Sequence, residues 1–274
     1  MKTIKITGLV FCMLFGFNTA KMMGQEIELS VLGGLTAMKQ PSTKLTEGHT
    51  LGFSALYKYP IKENLSFGIG VELGQYSLTK ELTNFKGENS AIDRQGDAFE
   101  FRYNLAKFSE DLKGNYFAIP LKVEYLGPTL GNEKIRLYAS AGIKYQVYSK
   151  VKSNQSFEGI KTSAYYERWD AELHGPPFEG FGNLGNRQEK NKLKLDNGFF
   201  VVGEIGVQYT LPTAQALYFG IYGDCDLGSS GQSNQGVLTY NNREQTNSVL
   251  NGENQRYKMR MFSLGIKVKY SFGL

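Results

Sequence analysis

From residue 26 onward, apolar side chains recur along much of the chain at every second position. The stretch from Leu65 to Gly74 has the plainest contrast: Leu65, Phe67, Ile69, Val71 and Leu73 fall on one face, and Ser66, Gly68, Gly70, Glu72 and Gly74 on the other. Successive side chains of an extended strand point to opposite faces, so a strand that separates two different media must alternate in this way. The same split sets Phe117, Ile119, Leu121, Val123 and Tyr125 against Ala118, Pro120, Lys122 and Glu124. It also sets Ile135, Leu137, Ala139, Ala141, Ile143, Tyr145 and Val147 against Arg136, Tyr138, Ser140, Gly142, Lys144 and Gln146. Glu26 to Met38, Thr50 to Tyr59, Asn197 to Leu211, Ala216 to Leu227 and Tyr257 to Phe272 complete a set of eight amphipathic strands.

In each strand the polar face is rich in glycine, serine and charges of both signs, which suits a narrow interior. The apolar face is continuous, with Tyr57, Tyr59, Tyr125, Tyr209, Tyr270 and Phe272 near its ends, the pattern of an aromatic girdle at a membrane interface. Connections alternate in length. Pro60 to Asn64, Gly127 to Lys134 and Pro212 to Gln215 are short, at 5, 8 and 4 residues, whereas Lys39 to His49, Lys80 to Lys113, Ser149 to Asp196 and Gly228 to Arg256 have 11, 34, 48 and 29. Outer-membrane barrels have short periplasmic turns and long outer loops, and lipid cannot satisfy the backbone groups of an open sheet edge. The expected fold is therefore all-β: an eight-stranded antiparallel up-and-down transmembrane β-barrel with long extracellular loops and both termini in the periplasm. A soluble, lipocalin-like cup is the alternative. Pro120 removes a ladder donor, which predicts a bulge or irregular pair there with the ring in the lumen.

The first 24 residues depart from this pattern. Lys2 and Lys5 precede an apolar run from Ile6 to Phe17, and small residues follow at Thr19, Ala20 and Gly24, the form of a secretory signal peptide cleaved between Gly24 and Gln25. The uncharged stretch Ile6 to Ala20 is 15 residues long, short of the ~20 a membrane helix needs. Residues 25–274 then form the barrel domain. Of the net charge of +5, cleavage removes Lys2, Lys5 and Lys21, leaving 28 basic against 26 acidic residues, or +2. That balance implies no nucleic acid. Cys12 lies in the leader after a bulky Phe11, unlike a lipoprotein site, and Cys225 alone cannot form an internal disulfide.

Tyr116-Phe117-Ala118-Ile119-Pro120-Leu121-Lys122-Val123-Glu124-Tyr125 resembles the PorT-like outer-membrane β-barrel family, whose members carry a Tyr-x-x-Ile-Pro-Leu strand running to a distal Tyr. Asp196-Asn197-Gly198, leading through Gly203 and Gly206 to Tyr209, looks like that family's glycine-spaced strand, and Phe262 through Phe272 looks like its final one. The resemblance implies the barrel fold and an outer-membrane address. Some relatives assist protein secretion, and the specific residues lie in the wall, so no one relative's activity transfers.

Glu72, Lys144, Glu204, Asp224 and Lys267 fall at similar heights on inward faces, and opposite charges in a narrow, low-dielectric space are stable only when paired. They are expected to form a network plugging the tube, with a proton or ion path as the sharper alternative. His49 and His174 are the only histidines, both in predicted loops, and no serine motif or metal-ligand spacing accompanies them. No catalytic residue, cofactor or metal is expected. The third long loop holds the single tryptophan among Tyr165, Tyr166, Arg168, Trp169 and Phe178. Exposed aromatics beside arginine suit a patch for a protein or glycan partner, or else pack on one another to cap the barrel. Phe99, Phe101, Tyr103 and Leu105 alternate in the second loop, which predicts a hairpin continuing the wall. The reading is an outer-membrane binding, adhesion or assembly component, not an enzyme, in contact with outer-membrane lipid. A narrow channel or transporter is the alternative and a rim-site lipid hydrolase a third.

Overall fold

The computed structural model describes residues 24–39, 46–93, 95–131, 134–149, 151–193, 195, 197–212, 215–228, 237–238, 240 and 260–274. The expected signal peptide, residues 1–24, lies outside them apart from Gly24. The strands are β1 (Glu26–Lys39), β2 (Thr46–Lys62), β3 (Leu65–Ile92), β4 (Ala98–Leu130), β5 (Ile135–Tyr148), β6 (Val151–Tyr166), β7 (Ala171–Leu173), β8 (Gly182–Leu193), β9 (Gly198–Thr210), β10 (Gln215–Asp226) and β11 (Arg260–Gly273).

Eight of them close into an antiparallel ring in the order β1-β2-β3-β4-β5-β9-β10-β11, and β11 pairs back onto β1 from Glu26↔Gly273 to Lys39↔Arg260. Closure removes the sheet edges within the ring. The faces follow the alternation: Ile69, Val123 and Ile143 are 43%, 43% and 45% exposed on the outside, whereas Glu72 and Lys144 are each 3% exposed within. Pro120 is buried on the inner face. Pairing with β3 breaks off between Ile69↔Leu121 and Glu72↔Ala118 without a register shift, so of the two expectations, a bulge or an irregular pair, the irregular pair is the one found.

The interior is larger-featured than its glycines suggest. Tyr76, Tyr116, Tyr138, Tyr218, Tyr222 and Phe200 all point inward and are buried. The glycines make room for them: a Cβ on Gly74 would lie 2.4 Å from Tyr116 Cζ, and one on Gly220 2.1 Å from the Tyr138 hydroxyl. Tyr138 and Tyr218 meet edge to face at 5.1 Å.

On the side with the long connections, part of the wall does not stop at the ring. β3 and β4 stay paired to Ile92↔Ala98, the hairpin implied by the alternation from Phe99. The third loop, which showed no strand pattern, is itself a sheet. β6 pairs with the upper half of β4, β8 pairs with β6, β7 adds three residues, and two 3-10 turns (Glu167–Trp169 and Pro177–Glu179) lie between. A four-stranded platform, β3-β4-β6-β8, thus stands above one side of the ring. Its inner face carries Phe99, Phe101, Tyr103, Leu105, Phe108, Phe157, Ile160 and Phe181, with Val237 and Leu238 from the fourth loop in the same cluster. Two hydrogen bonds fix that segment: Val237 N–H donates to the Tyr103 hydroxyl at 2.7 Å, and the Asn89 amide donates to the Leu238 carbonyl.

Candidate functional site

Ring strands distant in sequence bring the interior charges together. Lys144 of β5 donates to Glu72 of β3 at 2.9 Å and to Asp224 of β10, and Tyr116 of β4 donates to Glu72 at 3.1 Å. Glu204 and Lys267, 3.9 Å apart, belong to a separate, larger cluster. There Lys269 reaches Glu124 at 2.8 Å, Glu204 at 3.0 Å and Glu28 at 3.4 Å. Lys58 pairs with Glu124 and with Glu28 at 3.3 Å, Lys122 lies 3.6 Å from Glu204, and Tyr138 donates to Glu204 at 2.6 Å. The five charges expected to form one network thus fall into two contact groups, with Lys267 and Lys122 of the larger group within electrostatic reach of Glu72 in the smaller. Five further members, Glu28, Lys58, Lys122, Glu124 and Lys269, were not singled out, although each occupies an inward position of its strand.

Among the described residues the two clusters hold five lysines and five largely buried carboxylates, which balance when all ten are ionised, and the partly exposed Glu26 adds a further carboxylate at the margin, 3.7 Å from Lys58. Lys269 also lies 4.2 Å from the Tyr138 ring centre and 4.6 Å from that of Tyr218. Such an arrangement locks strands to one another across the lumen and fills it with side chains. Charge burial is tolerable only because each ammonium has an opposite charge within reach.

On the platform, the five aromatic-loop residues separate. Tyr166 is 7% exposed; it stacks on Phe99 at 5.3 Å, so it is a core residue and not a partner contact as expected. Tyr165 lies under the Arg102 guanidinium at 4.1 Å and donates to Asp170 at 2.8 Å. Arg168 is exposed and reaches Asp97 at 3.5 Å. Trp169, 53% exposed, packs against Tyr166 with ring centres 5.1 Å apart and the planes tilted by 38°, and Phe178 is 85% exposed. Of the five, Arg168, Trp169 and Phe178 offer free surface.

The Tyr166 hydroxyl donates to Asp93 at the β3–β4 tip at 3.0 Å, and the N–H groups of Gln95 and Asp97 each donate to the same carboxylate at 2.9 Å. Desolvation opposes ionisation of Asp93, but these donors outweigh it and hold the carboxyl below the ordinary range. Burial, helped by that carboxylate, pushes the Tyr166 hydroxyl up to about 12.

His49 lies on β2, not in a loop, paired with Leu35 and Ser77 and exposed. His174 is exposed, 4.0 Å from Glu172. Among the described residues, no group of three His, Cys, Asp or Glu side chains could hold a metal ion, and Cys225 is an exposed free thiol.

A closed eight-stranded antiparallel barrel with an apolar exterior and a charge-paired interior is the class defined by these features. The sequence matches no protein-family model and no curated protein. Solved structures with a similar fold include Neisserial surface protein A, at 12% identity and TM-score 0.36 over 90% of this chain and 97% of that one. Ail, the attachment invasion locus protein of Yersinia pestis, is 11% identical at TM-score 0.31 over 91% and 100%. The N-terminal β-barrel domain of Pseudomonas aeruginosa OprF is 10% identical at TM-score 0.33 over 90% and 97%. At these scores the likeness adds nothing to what the closed ladder already establishes.

Proposed function

We propose that this chain is an outer-membrane β-barrel protein of the PorT-like kind, exported by a leader cleaved after Gly24, that serves as a surface binding, adhesion or assembly component and not as an enzyme. The observation that carries the reading is the platform: a rigid sheet rising from the ring, with its apolar face packed and Arg168, Trp169 and Phe178 exposed towards its end. Exposed large aromatics beside arginine make strong anchors for a protein or glycan, because they bury much area at small entropic cost. The membrane placement is supported by the outward rows of Ile, Val, Leu and Phe around a polar interior, the inverse of a soluble barrel. The Tyr116-to-Tyr125 strand motif supports the family, and a link to protein secretion belongs to the same reading. A conducting role is disfavoured by the tyrosines and ion pairs that occupy the lumen.

The test is photo-crosslinking from position 169 or 178 in intact cells, followed by identification of the captured molecule. One partner should be captured from both positions and lost when Phe178→Ser is combined with crosslinking at 169. Recovery of the same partners, undiminished, from a Trp169→Ser/Phe178→Ser protein crosslinked elsewhere on the platform would reject the assigned surface. Deleting residues 153–185 from within the third loop is unsuitable. It would remove β6 and β7 and strip the cover from Phe99, Phe101 and Phe108.

A further inference from the structure

Just above the apolar belt, the outward face of the wall turns basic. One cross-strand row reads Ser77, Lys113, Lys152 and Lys192 on β3, β4, β6 and β8. Lys190 stands two residues from Lys192 on the same face, and all four lysines are exposed. Like charges directly opposite each other weaken a sheet, and no carboxylate stands in the row. The nearest on that face, Asp111, is one step higher, in the row that runs through Asn154 to Lys190, and accepts a hydrogen bond from Thr79 at 2.6 Å. Glu81, beyond it, faces Lys107 at 3.3 Å.

The height of Lys113, where the row leaves the ring, bears on what would neutralise it. The row climbs from there towards Lys192, because cross-strand partners lie at right angles to tilted strands. The apolar row of Phe53, Leu73, Phe117 and Val147 is four residues below on β4. Four residues span ~13 Å of strand, or ~10 Å along the barrel axis at the usual tilt. The headgroup layer adds about 5–8 Å on each side of the hydrocarbon core, so Lys113 stands at its outer margin. The outer leaflet of an outer membrane is built from phosphorylated glycolipid. We infer that Lys113, Lys152, Lys190 and Lys192 bind the phosphate groups of that lipid. The inference rests on the outer-membrane placement above and deepens it: phosphate relieves the repulsion along the row and ties the base of the platform to the leaflet. A lipid is favoured over a protein partner because the row continues the lipid-facing side of the wall.

Full-length protein in a non-ionic detergent should be titrated with purified lipid A, with dephosphorylated lipid A and with inorganic phosphate, bound molecules being counted by native mass spectrometry. Wild type should retain lipid A and not the dephosphorylated form. Lys113→Gln/Lys152→Gln/Lys192→Gln should weaken retention about 100-fold, roughly fivefold per lysine. Lys161→Gln, on the platform well above the row, should leave it unchanged. The triple variant relieves repulsion, so it should fold, as checked by heat-modifiable gel mobility. Equal retention by the triple variant, or of the dephosphorylated lipid by wild type, would overturn the site. Equally tight capture of inorganic phosphate would assign the lysines to free anions and overturn the lipid. Because the assay is run in detergent, it reads the lysines alone; absence of the chain from outer-membrane fractions would instead overturn the placement.

Discussion

Replacing Lys144 by Met removes a single ammonium and keeps most of the side chain's apolar stem. In the wild type that ammonium lies 2.9 Å from Glu72 and in contact with Asp224, and the Lys144 and Glu72 side chains are each 3% exposed. After substitution the two carboxylates keep only the Tyr116 hydroxyl among these partners. Breaking a buried pair from one side costs about 3–5 kcal/mol, because the stranded charge cannot recover its hydration. Against a total stability of roughly 5–15 kcal/mol, that is a large loss. The triple change Lys144→Met/Glu72→Leu/Asp224→Leu strands no charge and should sit close to wild type, since apolar replacement of a whole buried network is often neutral or stabilising. Urea titration in micelles, followed by heat-modifiable mobility and far-ultraviolet dichroism, would rank the three proteins. Trp169 emission reports the platform instead, as the only tryptophan is there. Coincident midpoints for Lys144→Met and wild type would refute the reasoning, because a lysine paired as described cannot be lost without cost.

Three further outcomes are expected. Gly74→Ala drives a Cβ into the Tyr116 ring at 2.4 Å and should cost ~1–3 kcal/mol by overpacking, whereas Gly203→Ala, with nothing within 4 Å, should change the urea midpoint little. Ile69→Lys, on the outer face, should impair refolding into lipid vesicles by ~2–4 kcal/mol if it lies at the midplane, and aspartate there by less. Gly68 is the inward control, since a Cβ at neighbouring Gly70 would strike the Ala55 carbonyl at 2.1 Å and disturb the wall for another reason. Finally, acid should loosen the platform tip. The Asp93 carboxyl is held below its unfolded value, so its contribution is complete above the unfolded value of about 4 and is lost as pH falls through the lower folded one. Trp169, packed on Tyr166, should report that transition, and Asp93→Asn should abolish it; an unchanged emission profile in the variant would show that Asp93 does not order the tip.

The ring was legible because its two faces meet different surroundings. Strands beginning at Leu65, Ile135 and Gly198 start at or within a residue of where the alternation placed them. The platform was only half legible. Phe99, Phe101, Tyr103 and Leu105 alternate cleanly, but the inward residues of lower β6 include Ser153 and Gln155, which hydrogen-bond Glu110 of β4 at 2.7 and 3.1 Å. Polar residues on both faces erase the contrast that marks a strand. The phase of β6 also shifts, with inward residues odd-numbered up to Phe157 and even-numbered from Ile160 on, around Gly159 at φ +61° and a register shift. A two-residue period broken in the middle reads as no period. The lumen pairs were legible as inward charges but not as partners. Lys144 meets Asp224, 80 residues away, only through a ring whose register no local pattern reveals. Tyr166 was misassigned for a related reason, because its burial depends on stacking with Phe99 across the sheet.

A lumen that seals and anchors leaves function to the platform. Single-channel recording of the purified full-length protein in planar bilayers tests this most directly. Tyrosine rings and ten mutually paired charges across the lumen predict insertion with no steady current above the bare-bilayer baseline. A stable, ohmic conductance that scales with the number of inserted molecules would contradict the plug and return the lumen to the centre of this protein's function.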